Sequence, residues 1–298
     1  GAVALAIADL LIGTTSVSIG QVWSVLCGAT EDASLETIVL RMRLPKVLVA
    51  LFAGMALSAS GLQMQTLFRN PLAGPYVLGV NSGASLGVAL FTLATPMMGL
   101  ASASWLHSFG VTGVAWIGSA AILLLVMSLS RRVRNINTIL IIGMMLSSAI
   151  SALVGILQYM GTEESLKAFV VWTMGSVSTV TIDELWVLIP VVVVGLVLAI
   201  VVIKPLNMLL LGESYARTMG LNVARSRAII FISTTLLAGT VTAFCGPIGF
   251  IGLAMPHLAR ITFRTADHRV LMPAAMLWGA VSMLFCTVAC DVVTRQGV

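Results

Sequence analysis

Charge is what this sequence has least of. Only 9% of its 298 residues are Asp, Glu, Lys or Arg, against about 25% in a soluble globular domain. Fully 59% are hydrophobic and the mean hydropathy is +1.07, so a soluble enzyme is excluded. Cysteine is scarce as well. Cys27, Cys245, Cys286 and Cys290 form no C-x-x-C pair, which argues against a disulfide scaffold or a redox motif and leaves them as small packing residues. Lysine occurs only as Lys46, Lys167 and Lys204, and no G-x-x-x-x-G-K-[ST] is present, so the chain cannot hold ATP through a P-loop. No basic run suits nucleic acid, and no basic n-region precedes the apolar start at Gly1, which therefore does not read as a signal peptide. The 27 glycines follow no triplet period, which excludes collagen.

What is present is uncharged length. Such runs cannot be strands of a β-barrel, because they do not alternate, and in lipid only helices then satisfy the backbone. Residues 47–68 form one crossing, ending at Arg69. The 61 residues from Asn70 to Ser130 lack formal charge and are flanked on both sides by arginine, so parity demands two crossings, near 77–95 and 111–130. Their turn is placed at Pro96 and at Ser102 to Gly110. Further spans are read at 138–160 and 185–203. The 32 uncharged residues from Ala228 to Ala259 again sit between basic flanks, and Gly246-Pro-Ile-Gly-Phe-Ile-Gly252 breaks them into 228–246 and a short span at 248–260. With 270–290 and an N-terminal stretch at 1–13, read as the tail of a truncated first helix, nine spans form a single transmembrane domain.

Sorting the loops by parity places Arg69, Arg131, Arg132, Arg134, Lys204, Arg217, Arg225, Arg227, Arg260, Arg264 and Arg269 on one side, with only Glu213 and Asp267 as acids. The positive-inside rule makes that side cytoplasmic and the protein a multi-pass membrane protein in contact with lipid. Asp9 falls within the first span, near its outer end or a cavity. No span centre carries an ionisable residue of the kind proton-coupled carriers use. Transport energy must then come from a partner; a partner-independent channel or secondary carrier is the competing class, which intramembrane acids would favour.

Three features rise above composition. Arg41-Met-Arg43-Leu-Pro-Lys46 is a basic cluster on the side that should be poor in cations. It either anchors the helix end at headgroups or pairs with Glu31, Asp32 and Glu36, or else receives an acidic extracytoplasmic partner. The cytoplasmic segment 204–227 stays partly apolar: Leu209, Leu210 and Leu211 precede a break at Gly212, and Ala216 and Met219 follow. It reads as an amphipathic element, lying on the membrane or pressed against another protein. Gly79, Gly83 and Gly87 make overlapping G-x-x-x-G steps suited to close helix packing, whereas Gly246, Pro247, Gly249 and Gly252 suit a broken helix beside a pathway. His257, with no His or Cys nearby, is read as structural, and no metal site is expected.

Several of these residues fall in longer runs: Arg43-Leu-Pro-Lys46, Gly61-Leu-Gln-Met-Gln-Thr-Leu-Phe-Arg-Asn-Pro-Leu-Ala-Gly-Pro-Tyr-Val-Leu-Gly-Val-Asn-Ser-Gly-Ala84, Trp172-Thr-Met-Gly-Ser176, Leu211-Gly-Glu-Ser-Tyr-Ala-Arg-Thr-Met-Gly-Leu221, Gly246-Pro-Ile-Gly-Phe-Ile-Gly-Leu-Ala-Met-Pro-His-Leu-Ala-Arg260 and Asp267-His-Arg-Val-Leu-Met-Pro273. In this order they resemble the FecCD family of ABC importer permeases, which carry iron-siderophores, haem or vitamin B12. The resemblance implies an all-α polytopic fold of ten helices, with a fuller first helix and a tenth helix after Val298. It implies a homodimer, or a pseudo-dimer with a paralogue, in the bacterial cytoplasmic (inner) membrane, served by two cytoplasmic ABC ATPases that hold ATP and Mg²⁺, this chain binding no cofactor. A periplasmic or lipid-anchored binding protein would dock on Arg43 and Arg295. Gly212, Glu213, Ala216, Arg217, Gly220 and Leu221 would couple to the ATPase, and Asn137 and Thr138 would form the cytoplasmic gate. A ferric siderophore is the expected cargo, with cobalamin or haem behind it.

Overall fold

A computed structural model describes residues 1–12, 17–28, 32–94, 104–133 and 136–296, and among these every regular element is helical. Helix α1 (Ala2–Leu11) is followed by α2 (Ile19–Leu26), whose start is fixed by a Ser18/Gln21 capping box. Helix α3 (Ala33–Leu67) begins where the Asp32 carboxylate accepts from the amides of Ser34 and Leu35. Its turns from Thr37 to Arg43 are π-helical and lead into Pro45. A proline has no amide to give and crowds the preceding turn, and the widened π turns take up that misfit without ending the helix. The helix thus starts well before residue 47 and carries Arg41, Arg43 and Lys46 two or more turns inside its start.

Helix α3 is the hub. Its most apolar window is 78% buried, and only that of α11 (Val223–Cys245), at 72%, approaches it. Small residues make this possible, since helices in lipid gain from close van der Waals approach rather than from exclusion of water. Gly54 faces Gly279 of α13 (His268–Gln296) so closely that a Cβ on Gly54 would lie 2.3 Å from the Gly279 carbonyl oxygen. Gly61 meets Gly252 of α12 (Ile251–Phe263) in the same way, at 1.7 Å. Polar side chains lock this hub internally: Gln63 Nε2 donates to Ser233 Oγ (3.0 Å), Thr234 Oγ1 donates to Gln63 Oε1 (2.9 Å), and Ser233 Oγ donates to the Gly195 carbonyl (2.9 Å). Each of these groups would be costly to bury alone, and each has its partner.

Around the hub stand α4 (Val80–Leu93), α5 (Ser104–Arg132), α6 (Ile136–Met160), α7 (Glu163–Met174), α8 (Ile182–Val201), α9 (Ile203–Leu210) and α10 (Glu213–Thr218). The glycine steps of α4 pack it on α5: Gly83 abuts Gly118, and Gly87 abuts Val114. Gly79 does something else, adopting φ +80 at the join between a 3₁₀ turn (Pro75–Leu78) and α4. That join starts the helix three residues later than the span read at 77–95, and its described part, Val80–Leu93, is about 21 Å long. Helix α7 was not legible as an element, because its charges at Glu163, Glu164 and Lys167 resemble a loop; Thr162 caps it. The turn read at Pro96 and Ser102 falls mainly on 95–103, outside the described residues, as do Glu31 and Arg134.

Among the described residues, six helices are long and apolar enough to cross a membrane: α3, α5, α6, α8, α11 and α13. From Lys46 to Leu67 α3 rises about 32 Å, so the structure has two distinct ends: an Arg-rich end near Arg69, Arg227 and Arg260, and an opposite end near Asp9, Lys46 and Asp291.

Candidate functional site

At the Arg-rich end, α10 is set up by its neighbours in sequence. Gly212 precedes it with φ +105 and Gly220 follows it with φ +84, backbone that residues with a Cβ rarely adopt. The helix closes as the Leu221 amide donates to the Ala216 carbonyl and the Gly220 amide to that of Arg217, and Asn222 then caps α11 through the Arg225 amide. Ala216 is fully buried and seats the helix. Tyr215 on this helix, and Leu211 and Met219 just outside its two ends, are each more than half exposed. Glu213 pins the element: it pairs with Arg227, whose side chain is 6% exposed, and more loosely with Arg217 at 3.8 Å. The residues expected to couple therefore sit together, and the structure adds Arg227, which lies fourteen positions from Glu213. Two arginines, Arg225 and Arg227, open α11 alike, and only the fold shows which one turns inward.

Behind this face the Asp267 carboxyl is held below the usual carboxylate range by the Arg269 amide and by the Asn207 side chain. Asn137 and Thr138 open α6 and are exposed. His257 is exposed too, and no group of three potential ligands gathers among the described residues.

In the interior, three irregular segments converge. The Tyr76 hydroxyl of the 3₁₀ turn donates to the Ile248 carbonyl (3.0 Å), and the Ser176 amide, just past α7, donates to the Cys245 carbonyl (2.7 Å). The break between α11 and α12 is thus satisfied by backbone and side chains rather than by lipid. Its glycines differ in role. Gly246 has φ +72 and would place a Cβ 2.4 Å from the Trp172 carbonyl oxygen; Gly252 is crowded by Pro75 and Leu57; Gly249 faces open space. Phe250, at φ +72, is a non-glycine in left-handed backbone and is 76% exposed. Beside it a cavity of 520 Å³ is lined by Tyr76, Met144, Ser147, Ser148, Phe250 and Leu253, among others.

At the opposite end the basic cluster divides. Arg41 is exposed. Arg43 is only 8% exposed, and its Nη1 donates to the Leu10 carbonyl of α1 at 2.7 Å, which ties this part of α3 to α1. Lys46 pairs with Asp291 of α13 at 2.5 Å and lies 3.4 Å from Asp9 of α1, whose carboxylate also accepts from Thr287 at 2.8 Å. Among the described residues, then, the cluster's acidic partners come from α1 and α13, not from the adjacent loop; Asp32 caps a helix instead. Arg295 is in the last turn of α13, four residues beyond Asp291.

Comparison with known proteins fits this architecture. The chain is 37% identical over 283 residues to the hemin transport system permease protein HmuU of Yersinia pestis, covering 95% of this chain and 82% of the relative. It is 36% identical over 292 residues to the vitamin B12 import system permease protein BtuC of Salmonella paratyphi A, covering 98% and 85%. Among solved structures, an inward-facing metal-chelate type ABC transporter superposes with a TM-score of 0.84 at 32% identity, over 98% of this chain and 88% of that one. PsaBC from Streptococcus pneumoniae shares the fold at a TM-score of 0.57 and 16% identity, over 92% and 95%. The profile of the FecCD transport family matches residues 1–298. With its helices, its broken segment and its relatives in agreement, this multi-pass ABC permease belongs to the FecCD transport family.

Proposed function

We infer that the chain is the transmembrane permease subunit of an ATP-binding-cassette importer that moves a metal chelate into the cytoplasm across a bacterial inner membrane. A ferric siderophore is the proposed cargo, with haem and vitamin B12 as alternatives drawn from the relatives. The observation that carries this reading is the pinned helix α10, where exposed Tyr215, flanked by exposed Leu211 and Met219, offers an apolar surface at the Arg-rich end. Such a face suits a groove in a cytoplasmic ATPase. In this reading ATP and Mg²⁺ belong to that partner, and two permease copies enclose a pathway. The exposed face of α6, starting at Asn137 and Thr138 as its inner gate, lines that pathway together with the broken segment at Gly246, Pro247, Gly249 and Gly252. Weak, mostly apolar lining suits a bulky cargo that must be released.

Uptake of radiolabelled ferric chelate, haem and cobalamin into vesicles holding the permease, its ATPase and its binding protein tests the assignment. ATP-dependent accumulation of one of them is expected; accumulation without the ATPase would instead mark a carrier or channel.

We assign the docking end to Arg43 and Arg295, with Arg41 exposed on the same helix as Arg43. Arg43→Glu combined with Arg295→Glu is expected to weaken affinity for the binding protein by on the order of tenfold or more, since interfacial charge pairs set both register and encounter rate. Titration of the immobilised partner with detergent-solubilised permease measures this, and equal affinity removes the docking role.

A further inference from the structure

Behind α10 a chain of polar side chains runs from α9 into α3 and α13. Asn207 of α9 donates from Nδ2 to Asp267 Oδ1 (2.6 Å), while its Oδ1 accepts from the His268 amide (2.9 Å) and from His268 Nδ1 (2.7 Å). An ionised carboxylate only accepts, so Asp267 fixes which end of the Asn207 amide faces it, and that in turn fixes Nδ1 as the protonated nitrogen of His268. In the neutral ring Nε2 is then an acceptor. The Thr66 hydroxyl, 2.8 Å away at the end of α3, is the group that can supply the donor; its one proton is shared between His268 Nε2 and the Leu62 carbonyl of its own helix, 2.9 Å away. His268 is 1% exposed and Thr66 3%, so neither can exchange its partner for water.

Apolar contacts such as those of Leu206 and Leu209 allow one helix to slide on another, because dispersion has little directional preference. Hydrogen bonds between buried groups do not: a shift of an ångström leaves both ends unsatisfied. The chain from Asn207 through His268 to Thr66 is therefore a joint of fixed register. It spans the gap between the helix leading into α10 and the two helices that interlock at Gly54 and Gly279. Those same two helices carry Arg43 and Lys46, and Asp291, at their far ends.

We propose that Asn207 and His268 are positioning residues that deliver movement of the ATPase-facing element to α3 and α13. This rests on the permease reading above. Since coupling between sites is reciprocal, the same joint carries the docking of a binding protein back to the ATPase.

The test uses the assembled transporter of permease, ATPase and binding protein in vesicles, and reads chelate imported per ATP hydrolysed. Asn207→Asp sets a second carboxylate against Asp267 and is expected to lower that ratio about tenfold, while the exchange Asn207→Asp with Asp267→Asn restores it to within about twofold of the parent. A purely structural role would reduce the amount of assembled complex but not the ratio. Thr66→Val, which keeps the shape and removes the hydroxyl that faces both His268 and the Leu62 carbonyl, is expected to lower the ratio about threefold in a normally assembled complex. It decides the matter if the carboxylate variant does not assemble. A parental ratio in assembled Asn207→Asp or Thr66→Val complex overturns the joint. If the unmodified complex imports nothing on ATP, the permease reading itself has failed, and the joint with it.

Discussion

Gly61→Ala is expected to yield almost no folded protein in the membrane. A single methyl at this position would lie 1.7 Å from the Gly252 carbonyl oxygen, with more backbone of α12 within 2.8 Å. Nothing there is a flexible side chain that could turn away, so α3 and α12 would have to separate along their contact. Overpacking a close backbone contact costs about 1–3 kcal/mol when neighbours can adjust and more when they cannot, and a domain is stable by only about 5–15 kcal/mol. Gly249→Ala is the matched comparison. It lies in the same glycine-rich stretch, yet its Cβ would meet nothing within 4 Å. Size-exclusion profiles of fluorescent fusions, at equal expression, should show a monodisperse peak for Gly249→Ala and loss of that peak for Gly61→Ala. Equal peaks would mean that α3 and α12 do not pack as described.

Glu213→Lys is expected to abolish ATP-driven uptake. The carboxylate it removes pairs with Arg227, which is almost wholly buried, and the ammonium it introduces would face Arg227 and Arg217 together. Removing a charged partner costs about 2 kcal/mol, and like-charge contact at this depth adds to it, so α10 should lose its seat on α11. Arg217→Ala, by contrast, removes an exposed i,i+4 pair of 3.8 Å, a kind worth less than about 1 kcal/mol to the stability of the element. Gly220→Val acts through the backbone instead: the position has open space but φ +84, which costs a β-branched residue about 1–2 kcal/mol. Both Glu213→Lys and Gly220→Val should leave a folded permease whose import no longer follows ATP hydrolysis. Normal import by the Glu213→Lys transporter would detach α10 from coupling.

Much of the helical pattern could be read from residue order because lipid imposes a simple constraint. Where charge is absent for twenty residues the backbone must close on itself, and where arginine gathers a crossing ends. The legibility failed where helices are shorter than the bilayer. Helix α7 carries two glutamates and a lysine and looks like a loop, since a helix buried partly in protein need not be apolar on every face. The start of α3 was hidden for a related reason: Arg41, Arg43 and Lys46 look like a boundary, but π-helical turns carry the helix through them, and Arg43 and Lys46 find partners on α1 and α13.

Sequence alone determined the membrane class, the segregation of arginine to one end, the broken segment at Gly246 and the family resemblance, because each depends on composition or on local order along the chain. Tertiary structure alone decided which groups meet. Gly249 and Gly252 look alike as letters, but only one is crowded, since crowding is set by Pro75 and Leu57 far away in the chain. Glu213 finds Arg227, Lys46 finds Asp291 across 245 positions, and Asn207 finds His268 across 61. Burial and hydrogen-bond direction are properties of neighbours in space, and no periodicity in one dimension encodes them.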